Sequence, residues 1–189
     1  MDMYGQTALK TQKVINQAMG GVLFIDEAYS INSSDNYSSE CISTLIKAME
    51  DHRDNLCVIL AGYPKEMEEL LNANSGFQSR IQFNIEFENY SDTELYQIFN
   101  KMLEQEQFKL DKKCKNAILE YFSNESRNNK DNFSNGRLAR NLFEKVKFEQ
   151  ATRITEQNSK DYDLITTADV TAVIEKIKSK PKTMMGFTA

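Results

Sequence analysis

Residues 20–27 place two neighbouring carboxylates directly after a short apolar run. A pair of glycines is followed by Val22–Ile25, and then by Asp26 and Glu27. A short unbroken apolar run bounded by turn-forming residues is typical of a strand in a parallel sheet, because helices cover both faces of such a strand. Its carboxyl end is where open α/β sheets bind ligands. Two charged acids are costly there unless they hold a metal ion or activate water, so the run predicts either a functional site or a plain strand end before a helix cap.

A second continuous apolar strand is predicted over residues 56–61. The Gly62-Tyr63-Pro64 segment after it forms a sharp strand-to-helix junction, since proline suits the first turn of a helix. The other elements predicted in this α/β half are helices over 7–19, 38–50 and 65–71, a connecting turn over 77–80, and an alternating edge strand over 82–87.

After Asn89 every predicted element is a helix. Ser91 and Glu94 form a capping box that opens a helix reaching residue 107. Further helices are predicted around 117–122, over 136–156 and over 166–179, and Pro181 begins a loose tail. We therefore expect an α/β part over residues 1–89, a helical domain over 90–180 and a flexible tail over 181–189.

The composition narrows the class of protein. A formal net charge of −5 over 189 residues gives no electrostatic reason to expect nucleic acid or an anionic membrane as a partner. No apolar run approaches the roughly 20 residues of a membrane span, and the start of the sequence lacks a signal-peptide pattern. The widely spaced Cys41, Cys57 and Cys114 predict free, buried thiols in a reducing compartment, so we expect a cytoplasmic protein.

Three arginines are candidate site residues. Arg80 lies just before the predicted edge strand, and Arg137 and Arg140 lie three residues apart at the start of a long helix, where they share roughly one face. Each alone could be an ordinary surface arginine. Their order along the chain, after the acidic strand end and the second buried strand, favours a functional role.

That order of features resembles the AAA+ ATPases, and most closely the subgroup that contains stage V sporulation protein K and the red-type Rubisco activase. The likeness extends from about residue 2 to residue 169. The phrases that carry it are YGQTA (residues 4–8), MGGVLFIDEAY (19–29), LAGY (60–63), GFQSR (76–80) and NGRLARN (135–141). The resemblance implies a P-loop NTPase α/β core followed by an all-helical lid.

The resemblance also implies roles for the acidic strand end and for Arg80. Asp26 matches the Walker B acid associated with Mg²⁺, and Glu27 matches the acid that activates the attacking water. Arg80 matches the arginine finger, which reaches the ATP of the neighbouring subunit and stabilises charge on the transferring phosphoryl group.

Further positions match the nucleotide sensors and the pore loop of the family. Tyr63 falls at the sensor 1 position, where many members have a small polar residue. Arg140 matches the sensor 2 arginine of the lid, with Arg137 as the alternative. The loop that lines the central pore of a hexamer corresponds to Met3, Tyr4 and Gly5, although the family often has an aromatic and then an aliphatic residue before the glycine.

One departure from the family is large: no G-x-x-x-x-G-K-[ST] phosphate loop occurs in these 189 residues. By resemblance we expect part of a ring-forming ATPase, in the family a hexamer of identical subunits, that uses ATP and Mg²⁺ to remodel a protein client. We also expect this chain alone to be inactive, since the phosphate loop and first strand of the family would lie upstream. The alternative is a scaffold or assembly piece of AAA+ ancestry that does not hydrolyse ATP. A DNA-loading role is disfavoured by the acidic charge balance.

Overall fold

The computed structural model describes residues 6–32, 36–128, 133–158 and 160–179. By contacts within the chain it divides into two units, residues 1–87 and 88–189. The first unit contains α1 (Gln6–Ala18), β1 (Gly21–Ile25), a 3₁₀ turn (Ala28–Ile31), α2 (Asn36–Asp51), β2 (Leu56–Leu60), α3 (Pro64–Ala73) and α4 (Ser75–Arg80). The second contains α5 (Asp92–Gln105), β3 (Lys109–Leu110), α6 (Cys114–Asn128), α7 (Gly136–Gln157), β4 (Leu164–Ile165) and α8 (Thr167–Ser179).

The first unit is built on two parallel strands. Leu23 of β1 lies opposite Val58 of β2, in a register that runs from Gly21 and Leu56 to Ile25 and Leu60. Gly20, with φ +76°, takes the left-handed conformation that ends α1 and leads the chain into β1. The predicted strands and the helices before and after them are therefore confirmed, with ends that differ by one or two residues.

Within the described part of the chain, helices cover only one face of this sheet. The core on that face contains buried residues of α1, α2, β2, α3 and α4, namely Ile15, Ile42, Leu45, Ala48, Leu56, Leu70 and Phe77, together with Ala28. On the other face Val22 (56% exposed), Phe24 (59%) and Ile59 (45%) meet solvent, as does the Cys57 thiol. The expectation that both faces are buried is wrong for the described residues, and so is the expected burial of Cys57.

Two predicted elements of the first unit are wrong. Residues 77–80 are not a turn but the end of α4, because Phe77 is buried in the core and its N–H bonds to the Asn74 carbonyl at 2.9 Å. Residues 82–87 form no strand, and Phe83 and Phe87 are 81% and 90% exposed. A strand needs backbone partners, and no strand of the described part of the chain pairs with this segment.

The second unit is a helical domain with its own core. Its apolar residues come from α5 to α8, and the largest fully buried ones are Leu95, Phe99, Ile118, Phe122, Leu142, Val146, Ile165 and Val170. The predicted capping box is confirmed: Ser91 Oγ accepts from the Glu94 N–H, and Glu94 Oε2 accepts from the Ser91 N–H at 2.8 Å. The short strands β3 and β4, a parallel pair of two residues each, were not predicted.

A buried ion pair lies inside the second unit. Arg153 Nε donates to Asp169 Oδ1 at 2.8 Å, and the Asp169 side chain is only 1% exposed. The other carboxylate oxygen of Asp169 accepts from the N–H and the hydroxyl of Thr166, each at 2.8 Å. This carboxylate therefore both caps the start of α8 and ties it to α7.

A strained asparagine precedes α7. Asn135 has φ 48° and ψ −129°, a conformation that side chains rarely adopt. Its Oδ1 accepts from the Tyr90 N–H at 2.9 Å, and its Nδ2 donates to Asn89 Oδ1. These two hydrogen bonds thus connect the start of α7 to the segment that leads into α5.

No helix among the described residues is both long and apolar enough to cross a bilayer.

Candidate functional site

The two acids at the end of β1 form a short bulge that Ala61 holds in place. Ala61 donates its N–H to the Ile25 carbonyl at 2.9 Å and accepts the Ala28 N–H at 2.9 Å, so it bonds to the chain on both sides of Asp26 and Glu27. Between these two bonds the chain leaves the sheet for two residues. Asp26 and Glu27 are consequently both exposed at the carboxyl end of the parallel strands, as the sequence predicts.

The bulge has a strained backbone. Glu27 lies in the left-handed region, with φ 49° and ψ 44°, which is uncommon for a residue other than glycine. Its N–H donates to Asp26 Oδ1 at 3.0 Å, which fixes the orientation of the Asp26 carboxylate. Sparsely populated backbone conformations concentrate at active sites and switches, so the geometry of Glu27 supports a functional role for this turn.

Two tyrosines border the acidic bulge. The ring of Tyr63 lies 6.3 Å from the ring of Tyr29, centroid to centroid. Burial raises the pKa of the Tyr29 phenol, and the charges of Glu27, Tyr63, Glu66 and Asp26 raise it further. Tyr29 therefore stays protonated and can act as a hydrogen-bond donor beside the carboxylates.

The donor set suits Mg²⁺ bound together with a nucleotide. Within the described part of the chain, no group of three histidine, cysteine or acidic side chains could hold a metal ion alone. Mg²⁺ usually takes one or two carboxylates, several waters and the phosphate oxygens of a substrate. The exposed Asp26 and Glu27 meet that requirement, with Asp26 as the residue that would hold the ion.

Arg80 lies at the other end of the strands. Its guanidinium forms an ion pair with Glu50, Nη2 to Oε2 at 3.1 Å, in the last turn of α2. The chain from there enters the amino end of β2, where the Asn55 carbonyl accepts the Gly20 N–H at 2.7 Å. The five residues of β2 span about 13 Å, so Arg80 is far from the acidic bulge of its own subunit.

The two lid arginines lie in the first turns of α7 and are both exposed. Arg140 borders a shallow cleft of about 210 Å³ together with Met102, Gln105, Glu106, Phe143 and Glu144. The carboxylates of that cleft pair with Lys147, at 2.9 Å for Glu106 and 3.2 Å for Glu144. Arg137 is not among the residues that border this cleft.

The structure brings some predicted site residues together and separates others. Asp26, Glu27 and Tyr63 lie at one end of the sheet, and Arg80 lies at the opposite end of the same unit. The predicted pore-loop residues Met3, Tyr4 and Gly5 lie outside the described residues. Sequence reasoning missed Ala61, Tyr29 and Glu50; only Tyr29 had a signal, its place two residues after the acidic pair.

Comparison with known families decides the class of protein. Residues 1–89 match the ATPase family associated with various cellular activities (AAA), and residues 91–180 match the AAA lid domain.

The chain belongs to the AAA+ ATPase family.

Relatives of this AAA+ chain include the subgroup expected from the sequence. Protein CbbX of Cereibacter sphaeroides is 42% identical over 162 residues, which are 84% of this chain and 52% of CbbX. A CfxQ homolog of Pyropia yezoensis is 40% identical over 89% of this chain and 56% of its own length. Stage V sporulation protein K of Bacillus subtilis (strain 168) is 39% identical over 79% of this chain and 48% of its own length. The chain thus spans about half the length of the curated relatives it matches.

Two solved structures share the fold. The AAA domain of FIGL-1 superposes with a TM-score of 0.64 at 17% identity, covering 91% of this chain and 57% of that domain's chain. RuvB of Thermotoga maritima, solved as a mutant, gives 0.64 at 21% identity over 92% of this chain and 50% of its own. The predicted α/β core followed by a helical lid is therefore confirmed.

Proposed function

We propose that this chain supplies the water-activating and charge-sensing residues of an ATPase that works as a ring of identical subunits and remodels a protein client. The observation that carries the proposal is the strained, two-residue acidic bulge at the carboxyl end of β1, held on both sides by Ala61. A ring is the typical assembly of AAA+ proteins. A hexamer, a pore loop at Met3, Tyr4 and Gly5, and a cytoplasmic location remain predictions.

The residues of the bulge divide the chemistry between them. The Glu27 carboxylate accepts a proton from the attacking water while the water oxygen bonds to the γ-phosphorus of ATP, the bond from that phosphorus to the β,γ-bridging oxygen breaks, and ADP leaves. Asp26, oriented by the Glu27 N–H at 3.0 Å, would hold Mg²⁺, which neutralises charge on the phosphates when it is bound. Tyr29 feels the charges of both carboxylates and its ring lies 6.3 Å from that of Tyr63, so a phenol in this pair can donate to water or to a phosphate oxygen.

Arg80 is suited to act on a neighbouring subunit. About 13 Å of β2 separates its end of the sheet from the acidic bulge, and this is longer than an arginine side chain can bridge. We therefore assign Arg80 to the nucleotide of the adjacent copy, where it stabilises charge on the transferring phosphoryl group.

The lid arginines are candidates for sensing the nucleotide from the second unit. Arg140 is the sensor 2 candidate because of its position in the family pattern, and Arg137 is the alternative. The carboxylates of Glu106 and Glu144 that share its cleft oppose a phosphate there, an observation that favours Arg137. ATP affinity should be measured for Arg137→Ala and for Arg140→Ala. The arginine whose replacement lowers the affinity more is the sensor 2 residue.

The phosphate loop that an ATPase requires is absent from these 189 residues. The backbone N–H groups and lysine of such a loop supply most contacts to the phosphates. We therefore expect the chain alone to show no ATP turnover and at most weak binding of MgATP in a calorimetric titration. Micromolar binding would contradict this expectation.

The ATPase assignment is tested in the longest polypeptide that the gene encodes, provided a phosphate loop is in frame. Glu27→Gln should keep ATP binding and lose turnover. Arg80→Ala should lower turnover on the order of 10³-fold. When the two inactive variants are mixed, some interfaces pair an intact Glu27 with the intact Arg80 of a neighbour, so activity should return. No recovery in rings shown to be mixed would refute action between subunits.

A second candidate function is a scaffold or assembly subunit that does not hydrolyse ATP. The observation that favours it is the exposed apolar face of the sheet, with Val22, Phe24 and Ile59, in a chain without a phosphate loop. If no reading frame supplies that loop, and Glu27→Gln leaves the behaviour of the assembly unchanged, this second function replaces the first.

A further inference from the structure

We propose that Glu50 holds Arg80 on its own subunit and releases it only when phosphate of a neighbouring subunit competes for the guanidinium. The inference rests on the proposed role of Arg80 in the ATPase. It adds a role for Glu50, which the family match does not assign. It also adds a conformation in which Arg80 is not available for catalysis.

The guanidinium of Arg80 bonds to its own helix and to α2. Nη1 donates to the Gly76 carbonyl and to Ser79 Oγ, each at 3.2 Å. Nη2 pairs with Glu50 Oε2 at 3.1 Å. An arginine that acts on a neighbour must direct these donors outward, so the observed conformation is a retracted one.

The retracted guanidinium is covered but incompletely bonded. The Arg80 side chain is only 29% exposed, and Nε is buried without a hydrogen-bond partner in the described structure. A buried donor that lacks a partner lowers the stability of the arrangement that contains it. The retracted state is therefore poised for exchange with a better anion.

Phosphate is such an anion. A guanidinium binds phosphate oxygens through two parallel N–H···O bonds, an arrangement that suits its planar fork. Glu50 is 54% exposed and uses one oxygen in the ion pair, so it offers a weaker contact. Binding of ATP by the adjacent copy would then draw Arg80 from Glu50, which couples availability of the arginine to the nucleotide state of the neighbour.

The test uses the longest polypeptide of the gene that has a phosphate loop in frame and that shows turnover. Glu50→Gln removes the competing charge, so turnover should rise about two- to fivefold at subunit concentrations that limit ring assembly, as expected from the strength of a surface ion pair. The rise should vanish in Glu50→Gln combined with Arg80→Ala, because the two residues act through one contact. Glu50→Asp keeps the negative charge on a side chain that is shorter by one methylene, so it should also raise turnover. This variant replaces Glu50→Gln in the test if Glu50→Gln does not fold.

The matched control is Asp51→Asn, which removes a neighbouring exposed carboxylate outside the described ion pairs. It should leave turnover unchanged; an equal rise would attribute the effect to net charge and overturn the inference. If Arg80→Ala abolishes turnover while Glu50→Gln leaves it unchanged or lowers it, the retention by Glu50 is refuted and the catalytic role of Arg80 stands. If Arg80→Ala has no effect, the proposed role of Arg80 fails and the inference fails with it.

Discussion

Gly62 lies so close to Tyr29 that a methyl group at its Cα would come within 2.8 Å of Tyr29 Cδ1 and of Met67 Sδ. This contact sets the spacing between the junction after β2 and the tyrosine beside the acidic bulge. Gly62→Ala should therefore push Tyr29 away from Tyr63 and destabilise the first unit by about 1–3 kcal/mol, the usual cost of overpacking. Urea denaturation of the chain measures this loss.

Gly21→Ala is the matched control for that variant, since its added methyl group meets only the Ala18 carbonyl oxygen at 3.5 Å. Equal stability of the two alanine variants would show that the space around Gly62 adapts without cost.

The Arg153–Asp169 pair should dominate the polar contribution to the stability of the second unit. Asp169→Ala leaves a mostly buried guanidinium without its partner and removes the cap of α8. We expect a loss of about 3–5 kcal/mol, as for other broken buried ion pairs, seen as a lower midpoint in chemical denaturation. Lys109→Ala breaks the exposed pair with Asp163 and should change the stability little. Equal losses of stability in Asp169→Ala and Lys109→Ala would refute the expectation that the buried pair contributes more.

The capping box at the start of α5 should make stability depend on pH. Hydrogen bonds from the Ser91 N–H, and then from its hydroxyl, lower the pKa of Glu94 below the ordinary value of 4.5. A carboxyl whose pKa is lowered on folding stabilises the fold above its unfolded pKa, and this contribution is lost as the pH falls through the folded value.

Thermal melts of the chain and of Glu94→Ala check that dependence. The difference in melting temperature should be largest near neutral pH and should shrink as the pH falls below about 4.5. Glu104→Ala, near the other end of α5, is the control and should show no such trend. A difference in melting temperature that stays constant down to pH 3 would show that the negative charge of Glu94 does not contribute to stability.

The exposed face of the β1–β2 sheet should drive self-association of the chain. Phe24 and Ile59 lie opposite each other in the register and are both exposed, and contiguous apolar surface favours association. Replacing both with threonine, which suits a strand, should lower the associated fraction in sedimentation velocity. The control is Phe148→Gln, which removes an exposed aromatic from α7. Unchanged association in the double variant would exclude this face.

The second unit should fold without the first. Its core is formed entirely by residues between Leu95 and Ile174, so its helices need nothing from the α/β part. We expect a polypeptide of residues 90–180 to melt cooperatively by circular dichroism, and a polypeptide of residues 1–88 to show no cooperative transition. The opposite pair of results would contradict the boundary.

What the sequence predicts correctly here depends on local chemistry. The capping box of Ser91 and Glu94, the left-handed Gly20 and Pro64 in the first turn of α3 all act within a few residues, so their positions along the chain suffice to predict them. The position of Asp26 and Glu27 at the carboxyl end of β1 was predicted for the same reason, since the strand and the two carboxylates are adjacent in the sequence; the bulge that these residues form was not predicted.

The errors arise where distant residues decide the structure. The alternation over 82–87 suits a strand, but a strand forms only where a partner offers backbone groups. The short helix α4 was predicted as a turn because Asn74 and Gly76 are helix breakers, whereas burial of Phe77 in the core determines the conformation. The Arg153–Asp169 and Arg80–Glu50 pairs join residues 16 and 30 positions apart, and no pattern of spacing indicates them.

The hydrogen bonds of the Asn135 side chain also have a consequence for the chemical lifetime of the protein. Asn135 precedes Gly136, and an asparagine before glycine is prone to deamidation because little hinders attack of the next backbone nitrogen on its side chain. Loss of the amide nitrogen would replace the donor to Asn89 Oδ1 by a carboxylate oxygen, so two acceptors would face each other. Ageing of this single amide would thus loosen the start of α7 from the segment that leads into α5, without any change in the gene.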